Sequence, residues 1–78
     1  MRTLYVGGLS DDTDEQALRA LFADFRGLLS ARVVTFESGR CRGFGYVTFS
    51  DDASATAAMS RLDGIEHGTA RLRVALAS

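Results

Sequence analysis

Arg42-Gly43-Phe44-Gly45-Tyr46-Val47-Thr48-Phe49, RGFGYVTF, is the stretch on which the fold turns. β-Branched and aromatic side chains dominate it, as they do in strands. A strand sends successive side chains to opposite faces. Here one alternate set is Gly43, Gly45, Val47 and Phe49; the other holds Arg42, Phe44 and Tyr46. Both sets carry bulky apolar groups. A core can absorb Val47 and Phe49. Phe44 and Tyr46 then need another role.

The flanking sequence supplies the partners of this strand. Residues 3–8, TLYVGG, read as a first strand with Leu4 and Val6 on one face and Tyr5 on the other. Ser10-Asp11-Asp12-Thr13 is a turn, and Thr13 with Gln16 three residues on forms a capping box. The helix that follows runs to about Phe25. Leu18, Leu21, Phe22 and Phe25 recur at helical spacing as one buried stripe, and Gly27 ends the helix. Residues 29–36 read as a second strand. Leu29, Ala31 and Val33 share one face of it; Arg32 and Val34 share the other. A short glycine-containing connection, residues 37–41, makes a hairpin to the opening stretch. Ser50 caps a second helix, with Asp51 and Asp52 in its first turn and Ala55, Ala58, Met59 and Leu62 as its apolar stripe. Asp63-Gly64 stops that helix. Residues 71–77 alternate as a last strand, with Leu72, Val74 and Leu76 opposite Arg71, Arg73 and Ala75.

The order is β-α-β-β-α-β, the ferredoxin-like α+β arrangement. It is a sandwich of a four-stranded antiparallel sheet with two helices on one face. The other face is open to water. Val47 and Phe49 then belong to the core, and Gly43 and Gly45 let the helices approach. Phe44, Tyr46 and, by the same parity, Tyr5 lie on the open face.

Composition narrows the function classes. Seventy-eight residues make one domain, 1–78. The single cysteine, Cys41, excludes an internal disulfide and a cysteine-based zinc cluster, and the single histidine, His67, argues further against a metal site. One unpaired thiol suits a reducing compartment. The opening residues carry no long apolar run, so no signal peptide is expected, and no apolar run in the sequence is long enough to span a membrane. No activated nucleophile or paired carboxylates stand in a plausible site, so no catalytic residue, metal or cofactor is expected.

The formal net charge of -1 conceals an asymmetry. Residues 11–26 hold five acidic side chains and two arginines, and residues 50–63 hold three and one. The helical segments therefore carry -5 against +4 for the strands and hairpins. All nine cations are arginine, which binds phosphate bidentately and stacks on planar rings. By strand parity Arg32, Arg42, Arg71 and Arg73 face the same side as the aromatics. Such a patch attracts a polyanion even on a chain of neutral overall charge.

Two segments now carry a resemblance. Leu4-Tyr5-Val6-Gly7-Gly8-Leu9 is similar to the RNP2 hexapeptide of the RNA recognition motif, and residues 42–49 to its RNP1 octapeptide, with tyrosine in place of phenylalanine at the fifth position. Leu18, Phe22 and Phe25, and the run Ala55, Ala58-Met59, Leu62-Asp63-Gly64, look like the family's helices. The resemblance implies a non-catalytic module for single-stranded RNA, or single-stranded DNA. It implies Tyr5 and Tyr46 as stacking platforms for consecutive bases, Phe44 against a sugar and Arg42 on a phosphate. Arg32 and Arg73 are candidate further contacts. A protein-binding variant of the same fold is the alternative. A monomer is expected, cytoplasmic in a bacterium and nuclear or cytoplasmic in a eukaryote.

The chain departs from the family at Arg26, with Gly27 one place later, and at Phe36, where aspartate is frequent. It departs again at His67, where an apolar residue commonly faces the core, and at Thr69-Ala70, where Gly-Arg is frequent. Phe36 is expected to pack locally in the hairpin, His67 to be a partly buried loop residue, and Cys41 an inert loop thiol.

Overall fold

The computed structural model describes residues 1–68 and 70–77. Its elements are β1 (Arg2–Gly7), α1 (Glu15–Leu21), β2 (Leu28–Thr35), β3 (Cys41–Phe49), α2 (Asp52–Leu62), β4 (Glu66–His67), β5 (Ala70–Arg71) and β6 (Arg73–Leu76). β2, β3, β1 and β6 lie side by side in that order, every neighbouring pair antiparallel. The two RNP-like segments are therefore the central strands. Leu4 and Val6 of β1, Val47 and Phe49 of β3, Leu18 and Phe22 at α1, and Leu72 are buried together. Each such side chain contributes about 1.5–3 kcal/mol by leaving water. Ala55 and Ala58 let α2 lie close on the same face.

Gly45 has the expected role. A Cβ there would overlap the carbonyl oxygen of Arg32 on β2 and press on Leu18 Cδ2 of α1 at 3.0 Å, so the bare backbone admits the neighbouring strand as well as the helix. Gly43 does not share that role. Among the described residues the Leu9 carbonyl oxygen, at 3.7 Å, is what a Cβ there would meet, and no helix atom; the Gly43 φ of +100° is one that side-chain-bearing residues rarely adopt. The turned backbone there accepts from the Leu9 N–H at 3.0 Å and donates to Cys41 Sγ at 3.2 Å.

Other expectations shift for local reasons. The cap of α1 is Asp14 rather than Thr13, accepting from the Ala17 N–H at 2.8 Å, while the Thr13 hydroxyl bonds Ser10 Oγ at 3.0 Å. The cap of α2 is Asp51 rather than Ser50, accepting from the Ser54 N–H at 2.7 Å. In both places a carboxylate one residue along takes the positive helix end. The Ser54 backbone N–H holds the Asp51 carboxyl below its ordinary pKa. α1 stops at Leu21 because the next turns tighten: Phe22 bonds back to Arg19, Ala23 to Ala20 and Phe25 to Phe22. Phe25 still packs on the core, from a turn.

A register shift between Leu28 and Ser30 makes Leu29 an extra residue in β2. Leu28 consequently packs on the core and Leu29 points out. Cys41 is no loop thiol. It opens β3 and is buried in the core, so this free thiol is a packing residue and says little about redox surroundings. His67 is exposed in β4.

The expected strand over residues 71–77 is divided. Leu72 donates to Ile65 and accepts from Gly64, both at 2.8 Å. The chain before Arg73 thus pairs with the segment after α2, and pairing with β1 begins at Gly7 and Arg73. The Thr69 half of the Thr69-Ala70 departure lies outside the described residues; Ala70 opens β5. Asp63 Oδ1 accepts from the Val74 N–H at 2.9 Å and covers the edge of β6.

Candidate nucleic-acid interface

β1 and β3 pair with Tyr5 opposite Tyr46 and Gly7 opposite Phe44. Side chains of paired residues share a face, so the register brings three rings together. The Tyr5 and Phe44 centroids are 5.7 Å apart at 32°, Tyr5 and Tyr46 are 6.1 Å apart at 68°, and Phe44 and Tyr46 are 6.2 Å apart at 87°. Tilted and edge contacts fix the rings against one another without closing their faces by parallel stacking. All three are half-buried, and among the described residues no helix lies over them. Gly7 makes room for this. A Cβ there would fall 2.6 Å from the Tyr5 hydroxyl oxygen, so the Tyr5 ring lies down across Gly7 toward Phe44.

The arginines divide. Arg32 stands opposite Tyr46 and Arg73 opposite Gly7, and both are exposed on the aromatic side of the sheet. Arg73 and Tyr5 line a depression of about 380 Å³ with Asp63 and Ala75. Arg42 projects at the hairpin end. Its Nε donates to the Thr35 carbonyl oxygen at 3.2 Å, and its guanidinium carbon sits 4.5 Å from the Phe36 ring centroid. Arg71 does not join them. It belongs to the small β4–β5 ladder and donates to the Gly64 carbonyl oxygen at 3.3 Å, because the chain joins the main sheet only two residues later. Arg40 is engaged with Asp11 at 2.8 Å, and Arg2 lies 3.5 Å from Asp52.

The face also holds residues that the motif reading left out. Thr3 and Thr48 are register partners whose hydroxyls bond each other at 3.1 Å. With Ser30, Arg32 and Tyr46 they line an open depression of about 570 Å³. Ala75 lies opposite Tyr5 on the other side. Parity alone placed all of these outward; small and hydroxylic side chains simply give no signal in a search for rings and charges. The acidic side chains of α1 and α2 come from the opposite layer, except that Glu15 reaches the rim of the larger depression; Asp63, which follows α2, reaches that of the smaller. Among the described residues no group of three or more His, Cys, Asp or Glu side chains is placed to hold a metal, and no helix is long and apolar enough to cross a membrane.

Residues 4–73 match the RNA recognition motif family. The chain belongs to that family. It is 47% identical over 72 residues to the mitochondrial glycine-rich RNA-binding protein 2 of Arabidopsis thaliana, covering 91% of this chain and 46% of that protein. It is 43% identical over 76 residues to the mitochondrial glycine-rich RNA-binding protein 4 of the same plant, covering 96% and 56%. The chain thus spans about half the length of these curated relatives. Among solved structures, the second RRM domain of the yeast poly(U)-binding protein Pub1 superposes with a TM-score of 0.92 at 33% identity, over 100% of this chain and 95% of that one.

As an RNA recognition motif, the domain has RNP2 on β1 and RNP1 on β3, adjacent and antiparallel at the centre of the sheet. The second RNP2 residue, Tyr5, and the fifth RNP1 residue, Tyr46, are direct cross-strand partners. The third RNP1 residue, Phe44, is two positions along the same face. The two motifs are separated by more than thirty residues in sequence and form one surface only through strand pairing.

Proposed function

We propose that residues 1–78 form a monomeric, non-catalytic module that binds single-stranded RNA across the open face of the sheet. The observation that carries this reading is the convergence of Tyr5, Phe44 and Tyr46 at 5.7–6.2 Å on a face that no helix covers, flanked by Arg32, Arg42 and Arg73. Tyr5 and Tyr46 take consecutive bases, Phe44 packs against the intervening sugar, and Arg42 pairs with a phosphate. Arg32 and Arg73 flank the path at the β2 and β6 sides.

The energetics suit such a role. Base–aromatic stacking contributes about 1–3 kcal/mol per base, so two platforms supply roughly 2–6 kcal/mol before ordering costs. A micromolar complex needs about 8 kcal/mol. Arginine and hydroxyl contacts supply the remainder, and the module alone binds modestly. With about 2–4 phosphates neutralised, the slope of log affinity against log salt lies near -1.4 to -2.8.

Fluorescence anisotropy with random 8-mers of RNA and of DNA tests this directly. Binding with the shallow salt slope is expected, and preference for RNA reports contacts to the 2′-hydroxyl. If Tyr5→Ala and Tyr46→Ala leave affinity unchanged while the domain stays folded, the sheet-face reading is wrong. Equal affinity for RNA and DNA would remove the RNA part of it.

A further inference from the structure

Phe36 lies outside the aromatic triad. A lone exposed apolar side chain would need no explanation, but three observations meet on this one. Its backbone is clamped at the β2–β3 turn: its N–H donates to the Arg40 carbonyl oxygen at 2.8 Å, and its carbonyl accepts from the Gly39 N–H at 2.9 Å. One face of its ring carries the Arg42 guanidinium at 4.5 Å, and that guanidinium is itself held by its bond to Thr35 at 3.2 Å. Yet Phe36 remains 49% exposed. The ring is supported from behind and open in front. Its position also fits. Cys41, the register partner of Thr35, turns into the core, so Arg42, which covers Phe36, points to the side that bears Phe44 and Tyr46.

We propose that Phe36 is a third base platform, resting on the reading of the open face as an RNA surface. The base of the nucleotide beyond the pair on Tyr5 and Tyr46 stacks on the free face of the ring. Arg42 remains the phosphate contact between this platform and the triad. A cation over one face draws π density toward itself and leaves the other face poorer. That face favours the wider, more electron-rich purines. The ligand class is therefore a single-stranded RNA with a purine next to the sheet-bound pair.

The natural chain has no tryptophan, so Phe36→Trp places a unique fluorophore on the platform. Its emission is expected to fall on saturation with an RNA 8-mer, more strongly when the 8-mer is purine-rich than when it is oligouridine. Phe36→Leu keeps an apolar support under Arg42 but offers no π-face. It is expected to weaken 8-mer binding about five-fold, the lower end of base–aromatic stacking, with the salt slope unchanged and with thermal melting confirming the fold. An unquenched tryptophan at saturation, or a Phe36→Leu variant that binds like the natural chain while Tyr46→Ala still loses affinity, overturns the third platform and leaves the sheet reading intact. A Phe36→Leu salt slope that falls as it does in Arg42→Ala also overturns it, because Phe36 then acts only by positioning the arginine. Failure of Tyr5→Ala and Tyr46→Ala to weaken binding instead marks failure of the sheet reading itself.

Discussion

The two faces of the central strands are built by alternate residues of the same two peptides, and they meet opposite surroundings. In β3, Val47 and Phe49 are wholly buried beneath the helices, with the Phe49 ring edge-on to Phe22 at 6.0 Å. Between and beside them, Phe44 and Tyr46 are only half-buried and touch other open-face rings. An aromatic side chain is thus no sign of a core by itself. What distinguishes the faces is whether a second layer removes them from water. One face stores stability, and the other leaves rings and cations open to solvent.

The largest expected effect lies on the covered face. Phe49→Ala removes a buried ring and should cost about 3–5 kcal/mol, a large share of the 5–15 kcal/mol typical of a whole domain. The midpoint of chemical denaturation reports it. RNA affinity of whatever remains folded should be little changed. Tyr46→Ala should show the reverse pattern, weakening RNA by about 1–3 kcal/mol with a much smaller shift of the denaturation midpoint. Should Tyr46→Ala unfold the domain as Phe49→Ala does, the division of labour between the faces is lost.

Charge sharpens the comparison at smaller amplitude. Arg42→Ala should weaken all RNA sequences about equally, since phosphates carry no base identity. It should also make the salt slope shallower by about 0.7, the value for one phosphate on a single strand. A loss confined to one sequence would mean that Arg42 reads a base. Arg40→Ala is a useful contrast, because Arg40 is engaged with Asp11; its effect on binding should be slighter.

The smallest effect belongs to the helical layer. The Asp51 carboxyl is held below its usual pKa by the Ser54 N–H. A depressed folded pKa stabilises the fold above the unfolded carboxyl pKa, and that stability is lost as pH falls through the folded value. Asp51→Asn retains a capping oxygen without a titrating group. The gap in melting temperature between the natural chain and this variant should therefore close on acidification, with RNA binding at neutral pH unaffected. A gap that widens in acid would show that Asp51 is not the group responsible.

Much of this architecture is readable from local pattern. The period-two alternation in RGFGYVTF assigns Val47 and Phe49 inward and Phe44 and Tyr46 outward, and the structure keeps that assignment because a sheet with one covered face permits only one parity. Alternation in TLYVGG does the same for Tyr5. Helical spacing likewise marks Leu18 and Leu21 of α1 and Ala55, Ala58, Met59 and Leu62 of α2 as facing the core, while Phe22 and Phe25 reach it from the tighter turns beyond α1. The readings that shifted share a different character. Leu28 for Leu29, Asp14 for Thr13 and Asp51 for Ser50 are displacements by one residue, set by a bulge or by which of two neighbouring polar side chains reaches the helix end. Local sequence ranks such neighbours nearly equally.

Arg71, Cys41 and Gly43 shifted for a reason of another kind. Each depends on where a distant segment passes: the Gly64–Ile65 turn for Arg71, and the Leu9–Asp11 segment for Cys41 and Gly43. So, too, the meeting of Tyr5 with Tyr46 and of Phe36 with Arg42 is a matter of pairing and register. By itself the sequence determined which side chains face outward and the chemistry they carry, because alternation and motif are properties of neighbours along the chain. Only the tertiary structure decided which of them lie together, which arginines are free, and which ring has a face left open, because those depend on contacts between residues that the chain holds far apart.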